Sequence, residues 1–129
     1  MYKGYIYRHW HVINGVEVSY IGQTSRKLSV RWGKDGKCYT YGNGCEFGDA
    51  IERFGWDNFH HDILGIIECE SQRELGFWLD EWEKYFIWYY DSYYNGYNST
   101  LGGSSNLMRG YKTTKEYRRK YTGVRFSKK

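Results

Sequence analysis

Gly4-Tyr5-Ile6-Tyr7, Asn14-Gly15 and Tyr20-Ile21-Gly22-Gln23-Thr24 are the three pieces of sequence that decide the fold. Residues 2 to 12 are rich in Tyr, Ile, Trp and Val and read as a strand. Asn14-Gly15 is a strong hairpin signal, because both positions tolerate positive φ. Val16 to Ile21 then reads as the antiparallel return strand, ended by Gly22. Tyr7 and Tyr20 therefore fall on neighbouring strands. Thr24 or Ser25 can cap a helix over about Arg26 to Trp32, whose Leu28 and Trp32 are spaced to face a core. Arg31 on that helix brings a guanidinium near the two phenols. Tyrosine handles protons and arginine neutralises phosphate, so the set suggests phosphodiester chemistry.

Further along, residues 33–44 hold four glycines and no strong period, and read as a loop. Phe47, Ala50, Ile51 and Phe54 recur at helical spacing before Gly55. Asn58 to Ile67 reads as a third strand, and Ile63-Leu64 with Ile66-Ile67 suggests burial on both faces. Pattern alone does not settle its neighbours. Ser71 to about Tyr90 is the longest helical pattern, with Leu75, Trp78, Leu79, Trp82, Phe86 and Tyr89 at three- and four-residue steps. Asn95 to Gly103 reads as a glycine-rich closing loop, and Thr113 with Glu116 resembles a capping box for a short helix to about Tyr121.

Composition bounds the class. A chain of 129 residues suits one domain with an appendage. Aromatic residues make up 21%, which predicts an aromatic core with polar rims. No run approaches ~18 apolar residues, so no membrane helix is expected. Met1-Tyr2-Lys3-Gly4 lacks the apolar stretch of a signal peptide, which makes an intracellular, cytoplasmic location the expectation. Three cysteines, Cys38, Cys45 and Cys69, argue against a disulfide framework. Cys38 and Cys45 with His60 and His61 form a weak zinc candidate, because the gap between the cysteines is wide for a structural site.

The net charge of +4 hides an asymmetry. Residues 1–103 carry 10 Lys/Arg against 14 Asp/Glu, whereas residues 104–129 carry 9 Lys/Arg against Glu116 alone. This shift places a boundary near Gly103, between a domain over 1–103 and a basic tail over 104–129. Arg109, Lys112, Lys115, Arg118, Arg119 and Lys120 interleave with Tyr111, Tyr117 and Tyr121, a pattern suited to nucleic acid. A solvated tail is the plainer alternative.

Taken one by one, the candidate site residues have ordinary explanations. Two tyrosines among fifteen are usually sheet packing. Arg31, near an apolar face, needs an anion, which phosphate or a protein carboxylate can supply. Glu83 and Glu74 border opposite sides of the apolar stripe on the long helix, and periodicity does not choose between them. Asn98 sits in a Gly-Tyr-Asn turn, where asparagine commonly bonds its own backbone. Of the pair His60-His61, at most one can face a site on a strand.

The order of these pieces resembles the GIY-YIG endonuclease family. The resemblance rests on Tyr5-Ile6-Tyr7 with Gly4 one place early, Tyr20-Ile21-Gly22, Gln23-Thr24, Arg31-Trp32, Ala50-Ile51 and Phe54-Gly55-Trp56-Asp57-Asn58-Phe59. It continues through Leu79 to Ile87 with Glu83, and Gly96-Tyr97-Asn98 with Gly102-Gly103. It covers about residues 3 to 103 and implies an α+β fold, a central three-stranded antiparallel sheet flanked by helices. It also implies metal-dependent hydrolysis of DNA, of the phage or mobile-element (homing) kind. By the same resemblance, Tyr7 activates water, Tyr20 supports the site, Arg31 stabilises charge on the phosphate, Glu83 holds Mg²⁺ or Mn²⁺, and Asn98 braces the site. The basic tail is similar to the short DNA-binding extensions of homing-type members. One departure stands out: Asp35 occupies the place of a family histidine, whose role is open to Tyr39 or Tyr41. Asp35 also keeps a second reading alive, a DNA-binding protein that retains the fold without cleaving. A single site cannot cut both strands without reorienting or pairing, so dimerisation on DNA is one route to a double-strand break.

Overall fold

A computed structural model describes residues 1–40 and 45–102. The basic tail, with Arg109, Lys112, Lys115, Arg118, Arg119 and Lys120, and Tyr41 of the glycine-rich stretch lie outside the described residues.

The hairpin forms as its turn chemistry requires. Strand β1 (Tyr2–Ile13) pairs antiparallel with β2 (Val16–Thr24) around Asn14 and Gly15, whose φ values are 51° and 81°. Strand β3 (His60–Cys69) adds to the other side of β1, giving the sheet order β2-β1-β3. Between the strands lie short helices α1 (Leu28–Trp32), α2 (Lys37–Thr40) and α3 (Glu46–Phe54), and after β3 comes the long helix α4 (Gln72–Tyr89). The chain is thus α+β, with a three-stranded antiparallel sheet between helices.

Period-2 alternation along β1 sends successive side chains to opposite faces. Ile6 packs with Ile21, Ile67, Leu75, Leu79, Trp82 and Ile87 under α4. Tyr7 packs with Tyr39, Phe47, Ala50, Ile51 and Phe59 on the other face, a cluster bordered by Tyr20, Leu28 and Trp32. Burying each such large side chain contributes about 1.5–3 kcal/mol.

Helix ends follow local chemistry. Ser71 Oγ accepts the Glu74 N–H at 3.1 Å and starts α4. Gly55, at φ 90°, closes α3.

Five sequence expectations change. Gly22 does not end β2, which runs on to Thr24. A glycine is required there because a Cβ would sit 2.5 Å from Tyr7 Oη. The Tyr7 ring crosses the second strand at that point. Gly22→Ala should accordingly destabilise the fold by roughly 1–3 kcal/mol, read as a lower urea midpoint at unchanged slope. Neither Thr24 nor Ser25 caps α1, whose N-cap is Lys27 with no side-chain bond; Thr24 Oγ1 instead accepts the Arg26 N–H.

Residues 34–40 are short helical turns rather than a loop. Gly33 and Gly36, at φ 73° and 71°, supply the bends between them. Strand β3 is an edge strand and is not buried on both faces: Ile63 and Ile66 are 50% and 51% exposed. The bulge at Leu64 aligns both with the tyrosine face, opposite Tyr7 and Tyr5, while Ile67 and Cys69 are buried against α4. Tyr89, expected in the apolar stripe of α4, is 59% exposed, and Ile87 is buried in the core. Among the described residues no helix is long and apolar enough to cross a membrane.

Candidate active site

Tyr7 is the centre of the site. Its position on β1 directs the side chain away from α4, and the missing side chain at Gly22 lets the ring lie flat across β2. Its hydroxyl, fully buried, lies 3.0 Å from the Tyr39 hydroxyl brought in by α2. The guanidinium of Arg31, in the last turn of α1, lies 4.8 Å from the centre of the Tyr39 ring. Burial raises the Tyr7 pKa, Arg31 opposes that rise, and the charge of Glu83 reinforces it. Tyr7 is therefore a neutral phenol at rest.

Tyr20 is on the same face, paired with His9 across the strands. Its ring stacks on Phe47 at 4.7 Å and 4°, and meets Tyr39 edge-on at 5.3 Å. Burial raises its pKa strongly, followed by the influence of Tyr7. The geometry makes Tyr20 a packing neighbour of the buried Tyr7–Tyr39 pair.

On the opposite face of the sheet, α4 aims two carboxylates at one point. Gln23 Nε2 donates to Asp80 Oδ1 at 2.8 Å and to Glu83 Oε1 at 3.0 Å. Asp80 and Glu83 are one helical turn apart, which brings both to the same side of α4. Glu74 is exposed in the first turn of the helix, so the structure separates two residues that periodicity left equal. A cleft of about 460 Å³ lined by Gln23, Ser25, Arg26 and Arg31 meets a second of about 300 Å³ lined by Gln23, Ser25, Leu79 and Asp80. Gln23 thus stands between the cations and the carboxylates.

Among the described residues no group of three or more His, Cys, Asp or Glu could hold a metal ion. A magnesium ion needs less from a protein. It keeps several waters and is held by one or two carboxylates plus substrate phosphate. Asp80 and Glu83, both within reach of a single atom and both hard oxygen donors, fit that requirement. The zinc candidate does not assemble: Cys45 Sγ accepts the Gly48 N–H as the cap of α3, Cys38 is exposed, and His60 stacks on Trp10 at 4.2 Å.

Asn98 is buried and straps the closing loop to β2. Its Oδ1 accepts the Ile21 N–H and its Nδ2 donates to the Ile21 carbonyl, both at 2.8 Å. The side chain bonds the second strand rather than its own turn. It holds the backbone between Tyr20 and Gly22 in place. Asp35 is exposed in a 3₁₀ turn at φ 53°, while Tyr39 reaches the Tyr7 hydroxyl.

Sequence reasoning singled out Tyr39 only as one of two phenols, gave no role to Gln23 or Asp80, and passed over His9. The last had a signal: two residues after Tyr7, it must share the Tyr7 face. Among known proteins, no family model, no curated protein and no solved structure matches this chain.

Proposed function

We propose that this protein is a divalent-metal-dependent DNA endonuclease of the GIY-YIG type. The observation that carries the reading is one of geometry: Arg31 lies over the ring of Tyr39, whose hydroxyl is 3.0 Å from that of Tyr7, and Gln23, which lines the Arg31 cleft, bonds both Asp80 and Glu83. A phosphodiester needs such a set: a cation for the phosphate oxygens, an oxygen donor for a metal, and a group that moves a proton. Arg31 leaves the Tyr39 ring to bind a non-bridging oxygen, and Tyr7 takes a proton from the attacking water. Glu83, with Asp80 beside it, would hold Mg²⁺ or Mn²⁺, which when bound polarises the phosphate. Tyr20 packs the aromatic cluster around Tyr7, and Asn98 fixes its strand. The basic tail, 104–129, holds the DNA backbone, and the phage or mobile-element character rests on the sequence resemblance alone.

A second reading, a DNA-binding protein that does not cleave, is favoured by one observation: the Tyr7 hydroxyl is wholly covered. Supercoiled plasmid separates the two. Nicking in Mg²⁺ that stops in excess EDTA and returns on adding metal is the expected result. DNA binding with no divalent-dependent nicking would assign the protein to the second reading.

A further inference from the structure

The buried face behind Tyr7 holds a chain of polar groups that no step above uses. Tyr7 Oη and Tyr39 Oη are 3.0 Å apart, Tyr39 Oη and His9 Nε2 3.1 Å, His9 Nδ1 and His61 Nδ1 2.8 Å, and His61 Nε2 and the Trp56 carbonyl 3.2 Å. His9 is fully buried, within a cage of aromatic rings that includes Trp32, Phe47 and Trp56 at 4.7–5.2 Å. His61 is half-buried on the edge strand β3, directly opposite His9.

The carbonyl at the far end fixes every proton in this chain. A carbonyl oxygen only accepts, so His61 Nε2 carries a hydrogen and donates to Trp56. Neutral His61 then has a bare Nδ1, and His9 must donate to it from its own Nδ1. His9 Nε2 is therefore bare and accepts the proton of Tyr39. A pair of hydroxyls can share a proton in either direction, and if the one proton of Tyr39 is given to His9, Tyr39 accepts from Tyr7 rather than donating to it. The Tyr7 hydrogen points into the protein; of the two lone pairs on its oxygen, one faces the buried indole N–H of Trp32, which can only donate, and the other is left for water.

We propose that His9 and His61 act through Tyr39 to set the direction of the Tyr7 hydroxyl, and that His61 is where the proton taken from water ends. The second half of that statement rests on the nuclease reading; the first does not. The transfer balances without an ion in the interior. As Tyr7 takes a proton from water on its lone pair, its own passes to Tyr39, that of Tyr39 to His9 Nε2, and that of His9 Nδ1 to His61 Nδ1. Water becomes the attacking hydroxide, His61 becomes imidazolium, and Tyr7, Tyr39 and His9 end neutral. This matters because burial disfavours every intermediate ion: it raises both phenols and lowers His9 to about 2.

Protonating His61 beforehand reverses the chain. Its Nδ1 then donates to His9, His9 donates from Nε2 to Tyr39, and Tyr39 donates to Tyr7, whose lone pair is consumed. The groups facing His61 are His9 from β1, Asp57 and the Trp56 carbonyl from the 56–58 turn, and His60 and Asp62 from its own strand; Trp32 of α1 adds a ring without charge. Burial lowers the His61 pKa, and the Trp56 carbonyl and Asp62 oppose that. Activity should therefore fall on the acid side, below the ordinary histidine range.

Imidazole ¹⁵N shifts of the full chain test the direction without any assay of cleavage. At pH 8 we expect His9 as the Nδ1–H tautomer and His61 as the Nε2–H tautomer. Acidification should protonate His61 and switch His9 to Nε2–H. His9 found as Nε2–H at pH 8 overturns the proposal. His61→Gln supplies the second measurement, because its amide can accept from His9 and donate to Trp56 but cannot take a proton. It should keep the His9 tautomer, lose about 10²-fold in single-turnover nicking and lose the acid limb of the pH profile. Unchanged nicking and an unchanged acid limb in this variant remove His61 as the proton terminus. A wild-type protein that shows the expected tautomers yet never nicks DNA refutes the nuclease reading and the terminus, and leaves the direction standing.

Discussion

Tyr7→Phe should lower the single-turnover nicking rate by about 10²–10⁴-fold, the usual contribution of a positioned proton-transfer group. The substitution is close to isosteric. The ring still crosses β2 over Gly22, where no Cβ competes for the space. What is lost is one oxygen, bonded to Tyr39 at 3.0 Å. The stability cost of that bond is about 1 kcal/mol, so the variant should still unfold cooperatively at a slightly lower urea midpoint. Tyr20→Phe is the internal control. Tyr20 stacks on Phe47 through its ring, a contact that survives the change, so a far smaller loss is expected. Equal losses in the two variants would mean that the hydroxyls act through packing alone. Undiminished nicking by Tyr7→Phe would move the proton chemistry elsewhere.

The contrast between these two tyrosines was only partly legible in the sequence. Hairpin register follows from Asn14-Gly15, and it places Tyr7 and Tyr20 on one face. Register is local information: it needs only turn chemistry and alternation. The Tyr7–Tyr39 contact is not local, since α2 is positioned by bends at Gly33 and Gly36 that a glycine-rich stretch does not announce. The same limit applies to β3. Its run of isoleucines reads as a doubly buried strand, but its place at the sheet edge and the bulge at Leu64 are tertiary facts. Glu83 and Glu74 show the point most directly. Helical periodicity puts them at opposite borders of one stripe, and tertiary facts distinguish them: Glu74 is exposed in the first turn, whereas Gln23 from β2 reaches Glu83. Asn98 was legible as a turn residue, yet its two bonds go to Ile21, 77 positions away.

Glu83→Ala is expected to lower nicking by about 10³-fold or more, because a metal ligand in such a site supports several kcal/mol of charge stabilisation. The fold should survive. Gln23 Nε2 keeps its 2.8 Å bond to Asp80, and the apolar anchors of α4, Leu75, Leu79, Trp82 and Ile87, do not involve the carboxylate. Removing Glu83 also removes a negative charge that raises the Tyr7 pKa. That electrostatic effect favours phenol ionisation, so it works against the expected loss. A large drop in rate is then evidence for ligation rather than for tuning of the phenol. Raising Mg²⁺ should restore part of the lost activity if Asp80 still holds the ion, whereas no concentration should rescue a variant damaged at Tyr7. Glu74→Ala, in the exposed first turn, should leave nicking within about threefold of the parent, since its carboxylate is on no path to the ion. Full nicking by Glu83→Ala, with the parent dependent on Mg²⁺, would take the metal away from this helix.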